Sequence, residues 1–133
     1  MEKWCEYCKG VIPKGIYTTN ITFGEEKGLI IQLISKKDNI IVDFGCVISY
    51  RVIEEGYMQT GVYDYNEIVK FKKGGFSNVI YMVENGEYDS DIRRIAGGYM
   101  DVSDHYHFVI ITQNYCIDII TAFLPDIFVN GYI

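Results

Sequence analysis

The sequence predicts a mainly β fold of the α+β kind: a curled antiparallel sheet or partly open barrel with one or two short helices, formed by a single globular domain over residues 1–133. Three observations predict it. The aromatic content is dominated by 12 Tyr and the apolar runs by Ile and Val, the mixture that packs on pleated, half-buried surfaces. Two pairs of apolar runs are joined by short polar connections, as hairpins require. Only one stretch carries signals for both ends of a helix.

Taken in order, residues 1–15 are rich in turn formers, with Cys5-Glu6-Tyr7-Cys8-Lys9-Gly10 followed by Pro13 and Gly15, and read as coil or a capping turn. Ile16 to Phe23 is a first strand, from Tyr17, Thr18, Thr19, Ile21 and Thr22, ended by the polar stretch Gly24 to Gly28. Leu29 to Ser35 and Ile40 to Val52 form a hairpin across Lys36-Lys37-Asp38-Asn39. A period of two sends Val42, Phe44, Cys46, Ile48, Tyr50 and Val52 to the core, with Asp43, Gly45, Val47, Ser49 and Arg51 on the other face. Gly45 inside so long a strand predicts a bulge or bend that lets one strand serve two parts of a sheet.

Glu54-Glu55-Gly56 ends that strand, and Val62 to Phe71 is assigned as strand on a spacing that also fits a helical turn. Past Lys72-Lys73-Gly74-Gly75, Phe76 to Val83 is a strand, closed by a turn at Glu84-Asn85-Gly86-Glu87. Asp89-Ser90-Asp91 offers N-cap residues for a helix through Ile92 to Ala96, and Gly97-Gly98 ends it. Tyr106 to Thr112 and Cys116 to Thr121 make a second hairpin about Gln113-Asn114-Tyr115, and Pro125 limits its extension.

With 49% hydrophobic and 23% charged residues the chain has the composition of a folded protein rather than a disordered one. The formal charge of −6, from 18 acidic and 12 basic residues, opposes nucleic-acid phosphates and favours encounter with a basic protein. Met1 to Glu6 lacks the apolar core of a secretory signal, and Gln113, Asn114, Asp118, Pro125 and Asp126 interrupt the most apolar window, Phe108 to Val129. The expectation is a cytoplasmic protein with reduced thiols, no membrane span and no bound cofactor.

Cys5 and Cys8 have the spacing of half a zinc knuckle, but the other half is missing, and a zinc site needs His105 and His107, or the lone Cys46 and Cys116, brought to the N-terminus by folding. A redox pair would need a preceding strand and a helix start, neither of which is expected there. His105 and His107 alternate on one strand face, near Asp101 and Asp104, with Asp118 on the partner strand; a His beside carboxylates is the minimum for acid–base chemistry or a metal. No nucleophile elbow, phosphate loop or H-E-x-x-H accompanies them, so no catalytic or metal residue is assigned and an enzyme is the alternative reading. Asp118, interrupting Ile117-Asp118-Ile119-Ile120, is expected to face water or bond a neighbouring loop.

Glu84, Glu87, Asp89 and Asp91 make an acidic run over a turn and helix start, flanked by Tyr81, Tyr88 and Tyr99. A solvated loop explains the run as readily as a recognition patch does. As a patch it would use Glu84, Glu87, Asp89 and Asp91, with Tyr88 as an aromatic anchor, against a basic protein partner.

Two stretches also carry a resemblance. Asp43-Phe44-Gly45-Cys46-Val47-Ile48-Ser49-Tyr50-Arg51-Val52-Ile53-Glu54-Glu55 has the form F-x-x-V-x-x-Y-R-x-x-x-E, and His105 to Thr112 runs through Cys116-Ile117-Asp118-Ile119-Ile120 to Pro125. Together, over about a third of the chain, they resemble strands of small bacterial proteins similar to the immunity proteins of toxin systems. The resemblance implies a non-enzymatic protein that binds and blocks a toxin. It transfers no contact residues, and the Cys5/Cys8 lead-in is not part of it.

Overall fold

The computed structural model describes residues 1–55, 62–72, 75–76, 78–102 and 104–131, with backbone alone at 101 and 102. In chain order the elements are β1 (Lys3–Glu6), β2 (Thr18–Gly24), β3 (Gly28–Ile34), β4 (Asn39–Gly45), β5 (Ser49–Glu54), α1 (Tyr65–Lys72), β6 (Ile80–Glu84), α2 (Glu87–Ile95), a 3-10 turn (Tyr99–Val102), β7 (Tyr106–Ile111), β8 (Tyr115–Thr121) and β9 (Asp126–Val129). The mainly β expectation holds, as two antiparallel sheets rather than a closed barrel. One sheet has the order β1-β6-β7-β8-β5 and the other β2-β3-β4-β9. Gly56, Lys73, Gly74 and Ser77, which belong to predicted strand ends and connections, lie outside the described residues.

Both predicted hairpins are present, as β3–β4 and β7–β8. The apolar contents of the two sheets meet in a core containing Leu29, Ile31, Leu33, Ile40, Val42 and Phe44 from one side and Ile80, Phe108, Ile110, Ile117 and Ile119 from the other. Burying an aromatic such as Phe108 there contributes about 1.5–3 kcal/mol relative to leaving it in water. The outer face of the five-stranded sheet is covered too. Trp4, Tyr63, Tyr81, Val83, Val109 and Cys116 pack with Ile68 and Phe71 of α1, and Tyr88, Met100 and Ile120 pack with Ile92 of α2. Burial on both faces is why β7 and β8 read as continuous apolar runs rather than alternating ones.

Four expectations are corrected. The lead-in is not all coil: Lys3–Glu6 pairs with β6, because Trp4 is buried edge-on to Tyr63, 5.0 Å between ring centroids. Val62 to Phe71 is not a strand. Asp64 caps a helix there, its carboxylate accepting from the Asn66 N–H at 3.0 Å and its carbonyl from Glu67 and Ile68, while Glu67 pairs with Lys70.

Ile40 to Val52 is not one strand. Gly45, at φ +65°, breaks it into β4 of one sheet and β5 of the other, the bend anticipated at that glycine. The break ends the predicted facing: Val42 and Phe44 are buried, Tyr50 is half-buried, but Cys46, Ile48 and Val52 are exposed. The second helix begins at Glu87, with Gly86 rather than an Asp or Ser at its N-cap, and ends where Gly97 turns left-handed at φ +62°. Pro125 ends the apolar run as expected, and the chain continues into β9 against β4.

The two sheets are joined twice at one corner, since β4 leads into β5 and β8 leads into β9. Among the described residues no helix is long and apolar enough to cross a membrane.

Candidate functional site

Titratable side chains of β5, β7, β8 and the segment before α1 converge on the outer face of the five-stranded sheet, between the two helices. Strand alternation directs Cys116, Asp118 and Ile120 to that face, and the β5–β8 register sets Arg51 opposite Asp118. Asp118 is wholly buried. Its Oδ2 accepts from Arg51 Nε at 3.1 Å, Arg51 Nη2 at 2.9 Å and the Tyr63 hydroxyl at 2.7 Å, and its Oδ1 accepts from His107 Nε2 at 2.8 Å. The expectation that Asp118 faces water is therefore corrected, while the bond to a neighbouring loop is present through Tyr63: the carboxylate is the centre of a buried polar cluster drawn from four segments.

A second layer surrounds this one. The Arg51 guanidinium lies over the Tyr88 ring at 4.4 Å, the Tyr88 and His107 rings are 5.9 Å apart, and the Tyr88 hydroxyl bonds Ser49. Tyr88 is thus an interior residue, 8% exposed, rather than an anchor on the surface. The cluster moves the proton affinities of its neighbours. Burial first, and Asp118 second, hold the Tyr63 phenol far above its usual range and push the Cys116 thiol up to about 12. For Arg51, burial pulls downward and Asp118 more than offsets it, so the guanidinium is held all the more firmly in its charged form.

His107 and Asp118 meet as an acid–base pair would. Arg51, Tyr63 and His107 already occupy both carboxylate oxygens, however, and His107 Nδ1 is buried against Gly86 without a hydrogen-bond partner among the described residues. Among these groups the side chains of Asp118 and His107 are buried, and Arg51, 30% exposed, is the one that reaches the surface. An open cleft lies elsewhere: about 420 Å³, bordered by Ile16, Tyr17, Glu55, Phe76, Val79 and Thr112. Among the described residues that line it there is no histidine, and the single carboxylate is Glu55.

His105, on the strand with His107, turns instead to Asp89 at 2.9 Å, so the two histidines serve different carboxylates. Asp104 is exposed, and the side chain of Asp101 lies outside the described residues. Cys5, Cys8 and Cys46 are exposed and free, whereas Cys116 is buried. Among the described residues no three His, Cys, Asp or Glu side chains gather as a metal site, so the histidines and lone cysteines do not complete the Cys5/Cys8 half-knuckle.

In the acidic run, Asp89 is half-buried and bonds Arg93 at 3.2 Å as well as His105, and Asp91 pairs with Arg94 at 3.2 Å. Glu84 and Glu87 are exposed and have no ion-pair partner among the described residues. Of the tyrosines flanking the run, Tyr81 is buried and Tyr99 is 83% exposed; sequence reasoning missed Ile95, 77% exposed, which ends α2. The signal was available, because Ile95 stands four residues from Asp91 on a polar helix face.

Compared with known proteins, the chain matches no family model, no curated protein and no solved structure.

Proposed function

We propose that this chain is a protein-binding module of the cytoplasm whose recognition surface is the outward side of α2 and the turn after it. The observation that carries this reading is the exposure of Ile95, at the end of α2, and of Tyr99, which opens the 3-10 turn four residues on, with Glu84 at the end of β6 and Glu87 at the start of α2 unpaired among the described residues. An exposed aromatic and an aliphatic side chain flanked by charge is the make-up of an interface anchor with its polar rim. The acidic contribution narrows to Glu84 and Glu87, since Asp89 and Asp91 are already neutralised by Arg93 and Arg94.

The net charge of −6 favours a basic partner. Resemblance to immunity proteins adds the finer role of neutralising a toxin. The buried, already bonded carboxylate of Asp118 supports binding over catalysis, because a substrate would have to displace Arg51, Tyr63 or His107 to reach it.

The test is association with the product of the neighbouring coding sequence, followed at two salt concentrations. Glu84→Lys with Glu87→Lys is expected to slow association about tenfold at low salt and flatten its salt dependence. Ile95→Asp with Tyr99→Ala is expected to weaken binding about thirtyfold or more, the scale of a hot spot. A bound partner indifferent to both double variants would remove this surface from the interface.

A further inference from the structure

Cys5 and Cys8 remain unused by either cluster. Cys5 ends the exposed face of β1, an outermost strand of its sheet, with its thiol 3.7 Å from the Met82 carbonyl. The chain then reverses: Cys8 is left-handed at φ 49°, Gly10 follows at φ 85°, and the Val11 N–H closes a turn onto the Cys8 carbonyl at 3.0 Å. Both thiols are exposed on this tight reversal. The Cys8 thiol adjoins the Tyr7 phenol.

Two thiolates three residues apart on such a turn supply half the donors of a tetrahedral soft-metal site. Among the described residues the chain does not supply the rest. His105 and His107 are engaged with Asp89 and Asp118, Cys116 is buried, and no described His, Cys, Asp or Glu joins the pair. Residues 56–61, 73, 74, 77, 103, 132 and 133 include no such residue, which leaves Asp101 as the single donor whose side chain is not described. A second copy offers two identical thiols, and two half-knuckles related by a twofold axis make a closed set of four thiolates.

We propose that Cys5 and Cys8 bind a soft divalent metal ion such as zinc together with the same two cysteines of a second copy of this chain, so that the metal bridges a dimer. Each zinc ion displaces four thiol protons to solvent, and no electron is transferred.

The test is titration of the full chain, kept under a metal-free phosphine reductant, with zinc alone, read by competition with a chromophoric chelator and by light scattering. One zinc per two chains is expected, with the mass rising from 15.3 kDa to twice that value. Cadmium in place of zinc should give the ultraviolet thiolate-to-metal band of four sulfurs per ion. Cys5→Ser with Cys8→Ser should abolish binding and mass change, and Cys46→Ser should leave both unaltered. No zinc held against the chelator, or zinc held equally by the Cys5→Ser/Cys8→Ser chain, overturns the site. One zinc per chain at unchanged mass overturns its completion by a second copy.

Discussion

His107 Nε2 donates to Asp118 Oδ1 over 2.8 Å, while the other nitrogen of the same ring, Nδ1, is buried against Gly86 with no partner among the described residues. The pair ties β7 to β8 on one side of the carboxylate, and Arg51 and Tyr63 tie β5 and the segment before α1 to the other side. The arrangement makes Asp118 the acceptor that four segments share.

Removing that acceptor leaves the Arg51 guanidinium without its counter-charge and two buried donors unpaired. Asp118→Ala is expected to lower the unfolding free energy by about 3–5 kcal/mol. Tyr63→Phe, which removes one charge-assisted bond to the same oxygen, is expected to cost about 1.5–3 kcal/mol. Urea unfolding followed by circular dichroism measures both; a change below about 1 kcal/mol for Asp118→Ala would show that the cluster contributes little to holding the segments together.

Gly86 is required for space rather than for backbone freedom, since its φ is −74°. A Cβ there would stand 2.7 Å from His107 Nδ1 and 3.1 Å from Val83. Gly86→Ala is therefore expected to displace the His107 ring and strain its bond to Asp118, at a cost of about 1–3 kcal/mol. Loss of the His107 hydrogen bond should appear as a shifted imidazole nitrogen resonance. An unshifted resonance with unchanged stability would show that the helix start can move aside instead.

Alkali should unfold the protein from the same face. The folded Cys116 thiol holds its proton up to about pH 12, against an ordinary value of 9.0, so the unfolded chain ionises first. The stability contributed by this difference is present in full below about pH 9 and is lost as the pH climbs from there toward 12. Tyr63, raised for the same reasons, adds loss above about pH 10. Each group steepens the decline by up to about 1.4 kcal/mol per pH unit. Cys116→Ala should flatten the profile between about pH 9 and 10, and an identical slope in that variant would assign the loss to other groups.

What the sequence disclosed follows the range of the interactions involved. The β3–β4 and β7–β8 hairpins and the Gly45 bend were legible because they rest on neighbours in the chain and on one residue's conformational freedom. Strand β1 was not, because it exists only by pairing with the distant β6 and by packing Trp4 on Tyr81, which no local pattern displays. Helix α1 was misread although its cap, Asp64, was in plain view; a period of two across Val62 to Phe71 competed with it, and burial of Ile68 and Phe71 against Trp4 decided the outcome. At the site, the placement of His107 near Asp118 followed from strand alternation. Arg51 and Tyr63 did not, because their approach depends on β5 changing sheets and on α1 covering the outer face.

The doubled corner, where β4 passes into β5 and β8 into β9, has a consequence for how the molecule comes apart. Neither layer is a separable half: each holds strands whose continuations belong to the other, and rupture of the β4–β9 pair pulls on β5 and β8 through covalent chain. Melting should accordingly be all-or-none. Trp4, the sole tryptophan, reports on one layer, whereas far-ultraviolet dichroism sums both. Coincident curves from the two probes are expected, and a fluorescence midpoint displaced from the dichroism midpoint would mean that the layers let go independently.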